Sequence, residues 1–328
     1  MRALVTGGGG FVGLAVIRAL IARGVECAAI GRSRYPVLEN LGVKTWRGDI
    51  IDRDFLGRVV KGYDTVFHVA AKAGIWGPCS EYEAVNVIGT KNVIDACRAN
   101  GVKILVYTST PSVVFNHADI SGDDESLPYS RSFLCHYAAS KARAEQLVLA
   151  ANSASLLTCA LRPHLIWGPG DPHLIPRLLS RGRRRQLRQV GDGRNLVDIS
   201  YIDNVAVAHL LASDNLGTTA SAAGKAYFIS QGKPVNLWLW INDLFKRLEI
   251  PPVSVRISFR SAYAAGWLLE WVYRVGRIAA EPRMTRFLAE QLARSHWFSI
   301  TRAQNDLGYW PKISTEEGME RLVEQYKD

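Results

Sequence analysis

The sequence predicts an α/β protein that begins with a doubly wound parallel sheet and ends in a smaller C-terminal lobe. Apolar runs of strand length alternate with segments in which apolar residues recur at helical spacing. The strand runs are residues 2–6, 26–30, 44–47, 65–69, 104–108 and 158–161, and the helical segments are 11–23, 82–99 and 134–151. Strands that are joined through helices pair in parallel, because each helix returns the chain to the same edge of the sheet.

The rhythm of strands and helices changes in the second half of the chain. Prolines accumulate between residues 163 and 176, and short apolar segments return near 196–202 and 227–230. The last third is rich in Trp, Tyr and Arg. We therefore expect residues 1–165 to form the core of the sheet domain. Residues 166–328 are expected to form mostly a substrate lobe, interleaved with the last strands and helices of the sheet.

Composition and charge limit the classes of function. The chain has 48% hydrophobic and 21% charged residues, as globular proteins do, and a formal net charge of +10. The charge fits an anionic ligand, an anionic surface or simply a basic exterior. The five cysteines form no CxxC pair, which predicts neither disulfides nor a metal site. The chain enters a strand directly after Met1, so we expect a cytoplasmic protein without a signal peptide or a spanning helix.

The first predicted strand runs into a glycine cluster, and a helix follows at once. Gly7, Gly10 and Gly13 form the pattern GxxGxxG, and Phe11 and Val12 open the helix. The absence of β-carbons lets the backbone approach a pyrophosphate, and the free N–H groups at the helix start attract its charge. This strand–turn–helix context predicts a dinucleotide-binding site in a Rossmann fold.

The end of the second predicted strand indicates which dinucleotide binds. Sites that prefer NAD usually carry a carboxylate there for the ribose hydroxyls, whereas this chain has Arg32, Ser33 and Arg34. Guanidinium groups suit a 2′-phosphate, which predicts NADP(H). The alternative is that both arginines lie on a solvated loop. Asp49, followed by Ile50, comes after the third strand, where it either touches the adenine ring or caps a helix.

A YxxxK pattern follows the strand at 104–108. Tyr137 and Lys141 are four residues apart on a predicted helix and therefore share one face. A phenol is a poor acid or base at neutral pH unless a nearby cation lowers its pKa. We expect this pair to move a proton in a reaction of the bound nicotinamide. Several hydroxyls near the end of the strand compete for the place of a third catalytic group: Thr108, Ser109, Thr110 and Ser112.

With these motifs, nearly the whole chain resembles the extended short-chain dehydrogenase/reductases, and in particular their 3β-hydroxysteroid dehydrogenase branch. Within that branch it is most similar to the bacterial 2-alkyl-3-oxoalkanoate reductases of long-chain olefin biosynthesis. Three segments carry the resemblance: residues 68–77, 107–114 and 161–173. It implies an NADPH-dependent reduction of a long-chain 2-alkyl-3-oxoalkanoic acid to the 3-hydroxy acid.

The same resemblance implies roles for individual residues. Thr110 falls on the catalytic hydroxyl, where most members carry serine, and Ser109 is the second choice. Asn86 looks like the family's central-helix asparagine, which supports the active-site lysine through water; a helix-start residue is the alternative. The loop after Pro163 looks like the loop that holds the nicotinamide carboxamide. The remaining residues implied to contact the cofactor are Ile50, Ala70, Ala71, Lys72, Thr108, Ser109, Tyr137, Lys141, Leu165 and Ile166, together with the glycine motif, Arg32, Ser33, Arg34 and Asp49.

Three other functions are weighed against this one. Oxidation of a 3β-hydroxysteroid or sterol-4-carboxylate is disfavoured by Arg32 and Arg34, since oxidation usually uses NAD. Nucleotide-sugar epimerases or dehydratases often bind the diphosphate with an Asn where this chain has Leu165. Regulators on this fold commonly lose the Tyr or Lys that this chain retains. Three residues are candidates by position for holding the substrate carboxylate: His164, His173 and Arg177.

Two surface features stay open to several interpretations. Residues 261–281 predict an apolar helix, which is core of the lobe, the wall of an acyl pocket or a contact with a membrane interface. Its charged residues fall on one stripe: Glu270, Arg274, Arg277 and Glu281. The six arginines of 177–188 form a solvated helix face or a docking patch for an acidic partner enzyme or anionic lipid, and no nucleic-acid reader module accompanies them. We expect a lipid-like small-molecule substrate, no nucleic acid and a homodimer.

Overall fold

The elements are given as a computed structural model describes them for residues 1–327. The strands are β1 (Arg2–Thr6), β2 (Glu26–Gly31), β3 (Lys44–Arg47), β4 (Thr65–His68), β5 (Ile104–Thr108), β6 (Ile120–Asp123), β7 (Leu157–Pro163), β8 (Ile166–Trp167), β9 (Gln189–Val190), β10 (Leu196–Val197), β11 (Ser200–Tyr201), β12 (Lys225–Ile229), β13 (Val235–Asn236), β14 (Arg256–Ile257) and β15 (His296–Phe298). The helices are α1 (Phe11–Ala22), α2 (Pro36–Asn40), α3 (Arg53–Val59), α4 (Cys79–Tyr82), α5 (Gly89–Ala99), α6 (His136–Ala150), α7 (Leu174–Arg183), α8 (Ile202–Gly217), α9 (Leu237–Arg247), α10 (Phe259–Val275), α11 (Arg286–Ala293), α12 (Thr301–Leu307) and α13 (Thr315–Lys327). A π-helix (Glu83–Ile88) and a 3-10 turn (Pro111–Val113) complete them.

The main sheet has seven strands in the order β12-β7-β5-β4-β1-β2-β3, and every neighbouring pair is parallel. The predicted fold class is confirmed. After β1 the chain first adds strands on one side and then, from β4, on the other. Ligands of such sheets bind beyond the carboxyl ends of the strands where the order reverses, which places the site at the ends of β1 and β4.

Apolar side chains cover both faces of this sheet. Val5, Ile17 and Leu210 belong to the buried cluster on one face, against α1 and α8. Leu4 and Val93 belong to the cluster on the other face, which also takes in α3, α5 and α6. Burial on both faces explains why the strands appear in the sequence as continuous apolar runs.

The C-terminal lobe has a core of its own, built largely from aromatic rings. Trp167 packs edge-on against Tyr201 and against Trp240, with ring centroids 5.3 Å apart in both cases. Around this core lie the smaller sheets β13-β10-β15-β6, β11-β8 and β14-β9. Between these elements the chain returns to the main sheet for α8 and β12. None of the helices within residues 1–327 combines the length and apolarity needed to cross a bilayer.

Two helices differ from their predicted form. The helix expected at 82–99 begins at Cys79 and passes through a π-helical turn before α5, a local widening that is common at functional sites. The helix expected at 261–281 ends at Val275, because Arg277 takes a left-handed conformation with φ of 51°. The expectation that Arg277 and Glu281 continue one helical stripe is therefore wrong.

A buried ion pair joins α6 to β7. The Glu145 carboxylate accepts hydrogen bonds from Arg162 Nε at 3.1 Å, from Arg162 Nη2 at 2.6 Å and from the Tyr129 hydroxyl at 2.7 Å. Both charged side chains are almost completely buried. Geometry of this quality offsets the cost of removing two charges from water.

We expect Glu145→Ala to lower the free energy of unfolding by about 3–5 kcal/mol, because the Arg162 guanidinium stays buried without its counter-charge. The control is Glu26→Ala, which removes an exposed partner of Arg2 and is expected to cost less than about 1 kcal/mol. Urea unfolding of both variants measures the difference. Losses of similar size would contradict the structural importance of the buried pair.

Candidate active site

The glycine turn after β1 lies close against its neighbours. Gly7 has φ of 69° and donates its N–H to the Ile30 carbonyl at 2.8 Å. A β-carbon on Gly7 would lie 2.8 Å from the Ala70 backbone, and one on Gly13 would collide with the Gly7 carbonyl. The turn therefore requires glycine for its φ and for close approach, and α1 begins directly after it. Such a turn can cradle a pyrophosphate.

A buried hydroxyl ties this turn to the loop after β4. Thr6 Oγ1 accepts the N–H groups of Val69 at 3.2 Å and Ala70 at 3.1 Å, and donates to His68 Nδ1 at 2.7 Å. Burial and the nearby Lys141 lower the pKa of His68 to about 3, so its ring is neutral. Neither Thr6 nor His68 was singled out from the sequence, because one hydroxyl and one histidine in strands carry no motif.

The same histidine extends the network toward the central helix. Its Nε2 donates to Thr90 Oγ1 at 2.9 Å, since the Thr90 hydroxyl donates its own proton to the Asn86 carbonyl at 2.6 Å. The Asn86 side chain accepts the Lys72 N–H at 2.7 Å and donates to the Lys72 carbonyl at 3.1 Å and to Ser140 Oγ at 2.9 Å. Asn86 thus joins the β4 loop directly to α6, the helix that carries Tyr137.

Lys141 lies in the interior beneath the predicted catalytic residues. Its Nζ donates to the Thr108 carbonyl at 2.5 Å and lies 4.1 Å above the centre of the Tyr107 ring. Burial lowers its pKa to about 7, while the nearby Glu145 acts in the opposite direction. A small change of surroundings can therefore switch this lysine between charged and neutral.

Tyr137 lies next to Thr110 at the mouth of the crevice. Burial raises the pKa of Tyr137 to about 12, Cys135 and Tyr82 act in the same direction, and the hydrogen bond with the Thr110 hydroxyl opposes them. Thr110 Oγ1 also accepts the N–H of Ser112 at 3.3 Å, which fixes the 3-10 turn. The structure places Tyr137 beside Thr110. The lowered phenol pKa that the sequence led us to expect is not found, because burial dominates.

The other competing hydroxyls are placed differently. Thr108 Oγ1 hydrogen-bonds His209 Nε2 at 2.7 Å, on the side of α8. Ser109 Oγ is buried and has no hydrogen-bond partner among the described residues. This hydroxyl lies at the end of β5, so it is a free donor and acceptor for a ligand in the crevice.

The loop after Pro163 is held rigidly. Ser200 Oγ donates to the His164 carbonyl at 2.8 Å, and the Ser200 N–H donates to the Leu165 carbonyl at 3.3 Å. Leu165 has φ of 40°, a conformation that is rare for a side chain of its size. Strain of this kind persists where the surroundings fix the backbone, and it is frequent beside ligands.

The residues expected to contact the adenosine end of the cofactor differ in whether other side chains already engage them. Arg34 is engaged by Glu39 through two hydrogen bonds of 2.7 and 2.8 Å. Arg32 is exposed, and no carboxylate within residues 1–327 pairs with it. Asp49 accepts the N–H of Ile51 at 3.2 Å in a local turn. Tyr35, which the sequence did not indicate, packs its ring over the glycine turn.

A cavity of about 580 Å³ opens beside the start of α6. Cys135 and His136, directly before Tyr137, form part of its wall. Apolar side chains and cations line it together: Ile75, Trp76, Phe133, Leu134, Ile278, Arg274, Arg277 and Arg286. Arg274, Arg277 and Ile278 belong to the segment 261–281 for which the sequence left a pocket wall open, whereas nothing in the sequence indicated Phe133 and Leu134.

The candidates for carboxylate binding lie elsewhere. His164 Nε2 hydrogen-bonds His296 Nδ1 at 2.6 Å inside the protein, and burial and His296 hold its pKa well below the usual value. Arg177 pairs with Glu281 at 2.7 Å. His173 is exposed at the start of α7. None of the three lines the cavity beside Tyr137.

The chain is similar to named enzymes over nearly its whole length. The chain is 52% identical over 325 residues to the 2-alkyl-3-oxoalkanoate reductase of Stenotrophomonas maltophilia, covering 98% of both chains. It is 49% identical to the enzyme of that name from Shewanella oneidensis, over 98% of this chain and 85% of the relative. It is 33% identical to the human sterol-4-alpha-carboxylate 3-dehydrogenase, decarboxylating, over 99% of this chain and 88% of the relative.

Solved structures share the fold over the full chain. The crystal structure of gox2253 has a TM-score of 0.80 at 27% identity and covers 99% of this chain and 98% of its own. MoeE5 in complex with UDP-glucose and NAD has a TM-score of 0.76 at 26% identity, with 100% and 99% covered. The model of the 3-beta hydroxysteroid dehydrogenase/isomerase family matches residues 4–259. The chain therefore belongs to this family of nicotinamide-dependent short-chain dehydrogenase/reductases.

Proposed function

We propose that this enzyme reduces a long-chain 2-alkyl-3-oxoalkanoic acid to the 2-alkyl-3-hydroxyalkanoic acid with NADPH, as a step of olefin biosynthesis. One observation carries the proposal: the full-length identity of 52% to a 2-alkyl-3-oxoalkanoate reductase. The arrangement of Thr110, Tyr137 and Lys141 supports it, because it supplies a proton donor beside a nicotinamide crevice.

The dinucleotide fits the crevice that these residues form. Gly7 and Gly13 leave room where side chains would collide, and the α1 N-terminus offers its N–H groups to the pyrophosphate. Ser109 Oγ is free to hydrogen-bond a ligand. The loop at Pro163 and Leu165 would hold the nicotinamide. When bound, NADPH supplies the hydride that adds to C3 of the substrate.

The chain's own residues supply the proton. With its pKa raised to about 12, the Tyr137 phenol is protonated at neutral pH and can donate to the ketone oxygen. Thr110 hydrogen-bonds that oxygen while negative charge develops on it. Lys141, in its charged form, stabilises the phenolate that Tyr137 leaves behind. C3 gains a hydride, its oxygen gains a proton, and Tyr137 is reprotonated from solvent.

The cavity beside Tyr137 suits a substrate that is both apolar and anionic. Ile75, Phe133 and Leu134 offer a surface for alkyl chains, whereas Arg274 and Arg277 offer positive charge. Glu270, the buried carboxylate of the wall, pairs with Arg286 through hydrogen bonds of 2.8 and 2.9 Å and lies 3.7 Å from Arg274. Arg277 pairs with no carboxylate among residues 1–327. An acid with two long chains matches both kinds of wall.

The preference for NADPH rests on Arg32, which carries positive charge without a carboxylate partner among the described residues. Arg47 lies next to it, since its Nε donates to the Arg32 carbonyl at 3.3 Å. Two guanidinium groups at this edge suit a 2′-phosphate. As part of the same proposal, the enzyme is a homodimer that forms through the outer faces of α5 and α6. It meets its substrate at the surface of a membrane or of a partner enzyme.

Tyr137→Phe is expected to lower kcat by about 10²–10⁴ because the proton donor is lost. We would run the reaction in reverse, since free 3-oxo acids decarboxylate: a 2-alkyl-3-hydroxy long-chain acid with NADP⁺, followed by nicotinamide absorbance. Tyr63→Phe is the control, as its hydroxyl accepts from Trp46 in the core. Turnover of a parallel 3β-hydroxysteroid alone would replace our proposal with the sterol reaction that some relatives perform.

Arg32→Ala should raise the KM for NADPH by about tenfold to a hundredfold, the worth of one charge-assisted hydrogen bond, and leave the KM for NADH unchanged. Arg34→Ala is the matched control, with a smaller effect because Arg34 is held by Glu39. Steady-state kinetics with both cofactors measure the ratio. Equal losses for NADPH and NADH would show that Arg32 does not read the 2′-phosphate.

Lys141→Met should change how stability depends on pH. The lysine has a pKa of about 7 when folded, below the value of about 10.4 of an unfolded chain, so unfolding takes up a proton between these values. Its burial therefore destabilises the fold fully below pH 7, and progressively less as pH rises. We expect the variant to be more stable than the wild type at pH 7, by an amount that shrinks toward pH 10. Urea unfolding across this pH range measures the stability difference, and Lys91→Met, at an exposed lysine, is the control. A difference between variant and wild type that does not change with pH would contradict this prediction.

A further inference from the structure

Helix α10 presents an apolar face to the outside of the protein. Trp267 and Trp271 are each 55% exposed, and Val275 is 66% exposed. Further exposed apolar side chains share this face: Ala264, Leu268 and Val272. At 100° per residue these six side chains cover less than half of the helix circumference. A contiguous apolar face of this kind marks a surface that contacts something apolar.

The opposite face of α10 is already packed. A β-carbon on Gly266 would lie 2.6 Å from the Thr285 backbone, so the helix lies directly against the start of α11. Glu270 accepts the backbone N–H of Arg286 at 2.7 Å and two hydrogen bonds from its side chain. The helix is therefore fixed to the lobe by one face, and rotating the tryptophans inward would break this packing.

The surroundings of the apolar face are positively charged. Arg260 lies at one end of α10 and Arg274 and Arg277 at the other, whereas the only carboxylate of the helix, Glu270, is buried. A second cavity of about 580 Å³ is bounded by Ile257 and Met284, which flank α10 in the sequence. Its wall contains six arginines: Arg177, Arg181, Arg184, Arg185, Arg188 and Arg283. Among residues 1–327, Arg177 is the only one of these six arginines that forms an ion pair with a carboxylate.

We propose that α10 docks this protein on an anionic lipid bilayer, with Trp267 and Trp271 at the headgroup level and the neighbouring arginines on lipid phosphates. Tryptophan is the side chain that favours this interface, and anionic lipid attracts the arginines. Charge decides against a second copy as the occupant. A two-fold contact through this face would bring the arginines of both copies together.

The docked helix also leads to the active site. Tyr273, Arg274 and Ile278 line the cavity at the start of α6, whose wall reaches His136, the residue before Tyr137, and Ile278 is exposed as well. A long-chain acid leaving the bilayer would pass Ile278 and enter this cavity without crossing water. This second step rests on the proposed function, whereas docking itself does not.

The test is flotation of the full-length protein with vesicles of phosphatidylglycerol or of phosphatidylcholine alone. We expect the wild type to float with phosphatidylglycerol and to be released by high salt. The double variant Trp267→Ser/Trp271→Ser should bind the vesicles about tenfold or more weakly, since it lacks the two rings that enter the bilayer. Trp310→Ser removes a tryptophan that is 64% exposed elsewhere and should leave binding unchanged. Circular dichroism checks that all variants fold.

Each other outcome has a defined meaning. The proposal is overturned if the wild-type protein does not float with the vesicles. It is also overturned if Trp310→Ser weakens vesicle binding as much as the double substitution does. If sedimentation velocity shows that the wild type is a dimer and the double variant a monomer, the apolar face of α10 is assigned to a second copy instead. Turnover of a short, water-soluble 2-alkyl-3-hydroxy acid should be equal in wild type and double variant. If neither protein oxidises the long-chain 2-alkyl-3-hydroxy acid with NADP⁺ while flotation succeeds, the proposed function fails and docking stands.

Discussion

The active site depends on one continuous set of buried hydrogen bonds that begins at Thr6. This hydroxyl holds the loop after β4 against the glycine turn, and His68 passes the connection to Thr90 and then to Asn86. Asn86 in turn fixes α6 through Ser140. Because every member is buried, each loses a partner if its neighbour moves, and an unpartnered buried polar group costs about 1–3 kcal/mol. The cofactor crevice and the helix of Tyr137 are thereby held as one rigid unit.

This rigidity explains the unusual protonation states of the site. Burial keeps His68 neutral, with a pKa of about 3, and brings the pKa of Lys141 to about 7. The same burial raises the pKa of Tyr137 to about 12, which keeps the phenol protonated as a donor. The raised pKa also makes the phenol a weaker acid, so a nearby cation such as Lys141 has to stabilise the phenolate when Tyr137 gives up its proton. Stability is lost in burying the lysine, as is usual for functional groups.

Sequence reasoning succeeded where one local pattern determines one local structure. The six predicted strands and the glycine turn lie where expected. A buried parallel strand is apolar throughout, and the positive φ at position 7 is one that glycine adopts readily. It failed where distant segments decide. Asn86, in the π-helical turn before α5, hydrogen-bonds the backbone of Lys72 in another loop. The partners of His164 and Arg177 also come from more than a hundred residues away.

The division of labour between sheet and lobe follows from the same difference. Thr6, His68 and Thr108 lie at strand ends, whose positions the parallel sheet fixes, and hydrogen bonds tie α6 with Tyr137 to them. The cavity wall comes instead largely from the 75–79 loop and from α10, which are held by apolar contacts and by a few hydrogen bonds such as those of Glu270 with Arg286. Such packing tolerates replacement more readily than a hydrogen-bonded network does. Within the proposed function, the side chains that would meet the substrate include Trp76, Phe133 and Ile278 and their arginine neighbours. Replacing them would leave Tyr137 and its network in place.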